Sequence, residues 1–194
     1  MQRLCRVAGG VKCYLEAPGC LVGKDTRECP FCTVGHALRL HGWYWRWALL
    51  PDPEPPRRIP VRRLYCPYAR RTVSLLPDFC MPRRQHGPAI LGLFLQVFLA
   101  GTGLLEALRK VRQDVHCHSV AQLLRNGFLK RTVKIRAYLA QRHRRVIEPP
   151  QQIPKDRWDV AELFFGLVAG FKSPDAAFIS HTIPFHQGFA DSLA

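Results

Sequence analysis

Carboxylates are scarce in this chain. Only 14 Asp and Glu accompany 29 Lys and Arg in 194 residues, a formal net charge of +15, and none falls between Val115 and Ile147. Charge this one-sided points to phosphate-bearing partners, nucleic acid first and an anionic membrane surface second. The same scarcity bears on catalysis. DNA cutting with two metal ions needs several acidic ligands, and Asp78, Asp114 and Glu148 are the candidates in reach. Asp114 falls at a predicted helix end, Glu148 adjoins a Pro-Pro breaker, and no βαβ pattern is present to carry a ribonuclease H-like sheet. No enzymatic activity is expected, and no catalytic residue is assigned.

Long apolar runs are missing as well. The stretch AILGLFLQVFLAGTGLL, residues 89 to 105, is interrupted by Gln96 and Thr102, broken at Gly101 and Gly103, and followed at once by Glu106, Arg109 and Lys110. Two buried helical pieces fit it better than a bilayer crossing, and no membrane partner is expected. The N-terminal MQRLCRVAGGVKCYLEAPGC has no continuous apolar stretch behind its positive charge, so no secretory signal is evident and a cytoplasmic location is expected. The eight cysteines are then read as reduced thiols instead of a disulfide scaffold. Cys5, Cys13 and Cys20 follow no ligand spacing and read as ordinary small side chains.

What is present is enough apolar content, 47%, for a real core, and four compositional parts without an internal repeat. Residues 1–24 form a short N-terminal segment in which VKCYL reads as a strand. Residues 25–84 carry a Cys pair, aromatic residues, the Pro-rich loop PDPEPP and the alternating IPVRRLYC, which reads as hairpin strands flanking a turn. Residues 85–147 read as helical. Residues 148–194 open on EPPQQIP, continue in one helix, DRWDVAELFFGLVAGF, and end in a tail. Leu163, Phe164, Phe165, Leu167 and Phe171 there are expected to serve core or dimer packing. The fold class expected is α+β: a small zinc-ribbon-like β region followed by a mainly α-helical region with a helix-turn-helix.

Cys29-Pro-Phe-Cys32 has the spacing at which two thiolates can face one tetrahedral ion, with backbone N–H groups moderating their charge. A second such knuckle belongs after the IPVRRLYC strand, where Cys66 arrives on time but Ala69 stands in the place of its partner. Zinc on Cys29, Cys32 and Cys66 would therefore be one ligand short. Water, His36, His41 or Cys80 could supply the fourth donor, His36 being nearest in sequence to the first pair. The alternative is a ribbon held by hairpin pairing and by packing of Trp43, Tyr44, Trp45, Trp47 and Phe79, with the cysteines as free thiols.

The run CPFC, HGWYWR, IPVRRLYC, RRTVSLLPDF and PRRQH resembles the N-terminal zinc-ribbon region of an uncharacterised bacterial family related to insertion-sequence transposases, whose second knuckle reads Cys-x-x-Cys. The resemblance covers residues 28 to about 86 and continues less specifically through SVAQLLRNGFLKRTVKIRAYLAQRHRR. It implies a ribbon that helps hold DNA ends and a metal on Cys29, Cys32 and Cys66; Ala69 is the departure.

In the helical part, Pro88 suits a first-turn position, and Leu91, Leu95, Phe98 and Leu99 recur at helical spacing. A short helix from Leu104 to about Arg112 follows. Ser119 is expected to cap a helix that Gly127 closes, and FLKRTVKIRAYLAQRHRRV is expected to run on for about five turns. Two helices with the second long and cationic make a helix-turn-helix pattern. Val120, Leu123, Leu124, Phe128, Ile135 and Leu139 would be its buried side, packed on the helix from 88 to 100. Arg125, Lys130, Arg131, Lys134, Arg136 and Arg142 are the expected DNA contacts on this pair, and Arg62, Arg63, Arg70 and Arg71 those on the ribbon. The expectation is a non-catalytic duplex-DNA-binding protein of mobile-element origin, with a homodimer or a transposase as further partner. RNA binding, through stacking of Trp43, Tyr44, Trp45 and Trp47 on unpaired bases, is the second reading, and a structural interaction module or transposase remnant the third.

Overall fold

The structure is a computed structural model that describes residues 1–115, 117–141, 152–169 and 178. It is mixed α and β, with a four-stranded sheet and six α-helices among the described residues. Two compact units divide the chain: Met1–Leu49 with Pro56–Gly87, and Leu50–Pro55 with the chain from Pro88 onward.

The first unit is built on a sheet of β1 (Gln2–Cys5), β2 (Arg39–Ala48), β3 (Arg57–Cys66) and β4 (Arg71–Pro77), in the order β1-β4-β3-β2. β2, β3 and β4 form an antiparallel meander, and β1 lies parallel to β4, so residues 1–24 contribute a strand to the same sheet as residues 39–77. Alternation drives the central pairing: Ile59, Val61, Leu64 and Cys66 of β3 are buried while Arg57 and Arg58 face solvent, the half-buried pattern that fixes register. The alternation slips between Val61 and Leu64, opposite a register shift between Leu40 and Gly42 of β2. Gly42 sits there at φ 132°, a backbone that a Cβ would strain.

Tyr14 fills the buried side of this unit. Its ring meets Phe79 edge-on at 5.7 Å, and its hydroxyl donates to the Pro60 carbonyl at 2.5 Å. Tyr14 belongs to a helix, α1 (Gly10–Glu16), where a strand was expected over VKCYL. Gly9 and Gly10, at φ 79° and 69°, turn the chain out of β1. Of the five residues only Tyr14 is buried, so no two-residue alternation exists to hold a strand.

The second unit contains α2 (Pro88–Leu99), α3 (Leu104–Val111), α4 (His118–Leu129), α5 (Thr132–Gln141) and α6 (Trp158–Val168). The apolar stretch from 89 to 105 is two helices broken at Ala100–Gly103, and no helix among the described residues is long and apolar enough to cross a membrane. Ala121, Leu124 and Phe128 form the buried stripe of α4, and Ile135 and Leu139 that of α5, spacings of three and four residues. Val120 is only half-buried and Leu123 is exposed. α4 packs on α3 and α5 on α6, where packing on the helix of residues 88–100 was expected. On α6, Leu163, Phe164 and Leu167 are buried and Phe165 half-buried; Phe171 lies outside the described residues.

Helix boundaries here depart from the sequence reading. α4 starts at His118 with Cys117 in the cap position, so Ser119 lies inside the first turn, its Oγ 2.7 Å from Cys117 Sγ. Gly127 lies within α4, and the long cationic helix expected from Phe128 is divided. Phe128 and Leu129 complete α4, and α5 begins only at Thr132. The Lys130 N–H donates to the Asn126 carbonyl and the Arg131 N–H to the Phe128 carbonyl, a tightened last turn that satisfies the helix end. Phe128 stays with the α4 stripe, its ring 6.1 Å from Phe178, which lies 6.0 Å from Phe164 of α6.

Candidate metal centre and cationic surfaces

Two turns of the sheet unit bring four ligand atoms together. The first is closed by a bridge between Glu28 and Ala37, and inside it the Cys29 N–H donates to the His36 carbonyl at 3.1 Å. Backbone pairing thus sets His36 opposite Cys29, with Cys32 at the turn between them. The second turn joins β3 to β4, where Cys66 pairs with Arg71 and Arg70 adopts a left-handed φ of 51°. Cys29, Cys32, His36 and Cys66 each offer one ligand atom, and these atoms all lie within 4.8 Å of one another. Cys32 Sγ is 3.5 Å from Cys66 Sγ, and Cys66 Sγ is 3.5 Å from His36 Nε2. A tetrahedral ion with metal–sulfur bonds of about 2.3 Å needs sulfur–sulfur edges of about 3.8 Å, so the four groups fit a metal ion with only small adjustment.

The surroundings are those of a ligand set. The Phe31 N–H donates to Cys29 Sγ at 3.4 Å and the Ala69 N–H to Cys66 Sγ at 3.3 Å, which disperses thiolate charge. His36 Nδ1 lies 3.2 Å from the Ala37 carbonyl oxygen. With its proton on Nδ1 donated there, the lone pair of Nε2 faces the sulfurs, the usual orientation of a metal-ligating imidazole. Tyr68 holds the other side of the ring edge-on, centroids 4.9 Å apart.

Of the donors open from sequence, His36 is the one that reaches the cluster. His41 is exposed and stacks on Tyr65 at 5.3 Å. Cys80 is buried elsewhere, its thiol pushed up to about 12 chiefly by desolvation, and burial likewise drives Cys5 to about 11. The spacing Cys-x-x-Cys-x-x-x-His from Cys29 to His36 was the sequence signal for the fourth ligand. All eight cysteines are free, with Cys13 and Cys20 exposed.

The thiols of the cluster are unequal. Desolvation and the hydrogen bond that holds its proton against Cys66 raise Cys32 to about 11. Cys66 also feels desolvation, but the N–H groups of Ala69 and Tyr68 and the sulfur hydrogen bonds from Cys32 and Cys29 outweigh it and draw the thiol down to about 7. Without a metal, and above pH 7, the pair is chiefly one thiolate accepting from one thiol.

The cationic residues fall in two sets. On the sheet unit, residues 57 to 77 hold six arginines and no carboxylate. Arg62 lies over the Trp43 ring at 4.6 Å, Arg63 donates to Thr72 Oγ1 at 3.2 Å, Arg71 lies over Phe31 at 5.8 Å, and Arg70 is exposed. On the helical unit, Lys130 and Lys134 are exposed and Arg125 is half-buried. Arg131 Nη1 donates to the Gly127 carbonyl at 2.8 Å, and Arg136 pairs with Glu162 at 3.2 Å and Asp159 at 3.9 Å across to α6. Lys130 and Arg131 lie at the α4–α5 junction instead of within a recognition helix. Arg142 lies outside the described residues.

The acidic trio considered for metal-ion catalysis is otherwise engaged where it is described. Asp78 is buried, its carboxyl raised by desolvation and accepting the Val7 N–H at 3.3 Å. Asp114 binds Arg112 at 2.7 Å, and Glu148 lies outside the described residues. Comparison with known proteins gives no matching family model, no similar curated protein and no similar solved structure.

Proposed function

We propose that this chain is a zinc-stabilised duplex-DNA-binding protein of transposase-related origin, without a catalytic core of its own. Zinc is the ion that three thiolates and one imidazole suit best among common divalent metals, and a closed four-ligand set serves structure, not catalysis. Cys29, Cys32, His36 and Cys66 would hold it. The ion would supply folding free energy to the turn of the arginine-bearing hairpin and to the turn from Cys29 to His36.

The observation that carries the reading is the hairpin itself: Arg57, Arg58, Arg62, Arg63, Arg70 and Arg71 with no carboxylate from 57 to 77, beside a donor set that can pin its turn. Residues 117 to 141 repeat the pattern, with Arg125, Lys130, Arg131, Lys134 and Arg136 and no acid. Phosphate neutralisation by such surfaces binds duplex DNA in a steeply salt-dependent way, each neutralised phosphate adding about 0.9 to the slope of log K against log salt.

Anisotropy titration of a labelled DNA duplex across a salt series tests this. The zinc-loaded protein should bind tightly at low salt with a slope of several units. Lys130→Ala with Lys134→Ala should weaken binding and flatten the slope by about two units. Duplex affinity that is weak at low salt, or a slope and affinity unchanged by the double substitution, would sink the reading or its helical contact respectively.

A further inference from the structure

Three tryptophans of β2 stand in the open. Trp43, Trp45 and Trp47 are 42%, 57% and 48% exposed, although the sequence alone allowed them a place in a packed core. They alternate with half-buried Gly42, Tyr44 and Arg46, so one edge-to-edge row of indoles lies on a single face of the sheet. The face is shared with β3: Trp43 pairs with Arg62, Trp45 with Pro60 and Trp47 with Arg58. The Arg62 guanidinium lies 4.6 Å from the Trp43 ring centroid and that of Arg58 lies 5.6 Å from Trp45. Neither strand contains an Asp or Glu.

Exposed large aromatic side chains in a row indicate an interaction surface, and the chemistry of this one is specific. Indoles offer π faces, and arginines offer cations that stack and pair with phosphate. Residues two apart on a strand are about 7 Å apart, roughly twice the 3.4 Å rise of stacked bases, so successive indoles can each take a base. A duplex keeps its bases stacked inside and would meet only the arginines; unpaired bases can use the indoles as well. Arg62 also has a buried Nε without a hydrogen-bond partner, so its guanidinium is held mainly by the Trp43 face.

We infer that the β2–β3 face is a stacking platform for a single-stranded segment of nucleic acid, with Trp43, Trp45 and Trp47 receiving bases and Arg58 and Arg62 the phosphates between them. This goes beyond duplex binding and does not depend on it. Single-stranded DNA and RNA share the chemistry used here.

The test uses the full zinc-loaded chain with labelled oligothymidylate, labelled oligouridylate, a DNA duplex and vesicles rich in anionic phospholipid. Both or either of the single strands should bind with quenching of tryptophan emission, three of the four tryptophans lying on the platform; the tighter of the two identifies the natural source. Trp45→Ala should weaken single-strand binding about tenfold and leave duplex binding within about twofold, while Trp45→Phe keeps most of the affinity. Trp43→Ala is the second variant, each being checked for unchanged circular dichroism and metal content. The inference is overturned if neither single strand binds, if binding leaves the emission unquenched, if both folded alanine variants bind as wild type does, or if only the vesicles bind. Weak duplex binding at low salt with single-strand binding intact would fail the proposed function and leave the platform standing.

Discussion

At position 69 an alanine stands where a second Cys-x-x-Cys was expected to end, yet its backbone N–H donates to Cys66 Sγ. The fourth possible donor is His36, which strand-like pairing with Cys29 holds in place. Removing that imidazole should therefore be severe and repairable. His36→Ala is expected to lower zinc affinity by about a hundredfold or more, and adding Ala69→Cys to it should restore most of the loss; competition with a chromophoric chelator measures both. No recovery in the double variant would show that the second turn does not face the ion. Acid should also compete with the metal, and the Cys32–Cys66 pair contributes two separate steps. In the metal-free protein Cys32 keeps its proton up to about 11 and Cys66 only below about 7. Binding displaces one proton from this pair above pH 7 and two below it. A plot of log affinity against pH should accordingly rise with pH throughout and be steeper by about one unit below pH 7; a single slope through pH 7 would show that Cys66 is not the low thiol.

Among the elements, the fate of PDPEPP was not written in its composition. Prolines marked it as a loop, but a buried arginine decides where it goes. Arg112, 2% exposed at the end of α3, donates to the carbonyls of Leu50 at 2.5 Å and Glu54 at 3.0 Å and pairs with Asp114, while the Gln113 N–H donates to Asp52 Oδ2. The segment Leu50–Pro55 is thereby clasped to the helical unit although strands β2 and β3 flank it in sequence. Charged hydrogen bonds to buried carbonyls are worth about 1.5–3 kcal/mol each. Arg112→Met should cost about 3 kcal/mol in urea denaturation, and a shift of under ~0.5 kcal/mol would mean the clasp is decorative. The division of the expected long helix into α4 and α5 was likewise illegible, because Lys130 and Arg131 are good helix formers. Their intrinsic preference yields to the tightened turn after Phe128, whose ring is kept on the buried stripe of α4.

Over the whole molecule, the charge of +15 is a property of composition, but its usable part depends on intramolecular pairing. Arg112 and Arg136 are committed to carboxylates, whereas Arg58, Arg62 and Arg71 of the hairpin lie over aromatic rings. The arginine-rich hairpin is for that reason the better candidate for phosphate contact than the helix the sequence favoured. Under the two proposals, duplex and single-strand binding would share the hairpin arginines, and Lys130, Lys134 and the indoles are the side chains whose substitution separates the two.

By itself the sequence determined the mixture of sheet and helix, the hairpin strand ending at Cys66, the apolar helices broken at Gly101, and three of the four metal-cluster residues. Each of these is carried by local chemistry: alternation, periodicity, breakers and a two-residue ligand spacing. The tertiary structure alone decided that His36 completes the cluster, that β1 joins β4, and that Trp43, Trp45 and Trp47 face outward. Those outcomes turn on which face of a strand is covered and which turns meet across the sheet, and residues distant in sequence settle both.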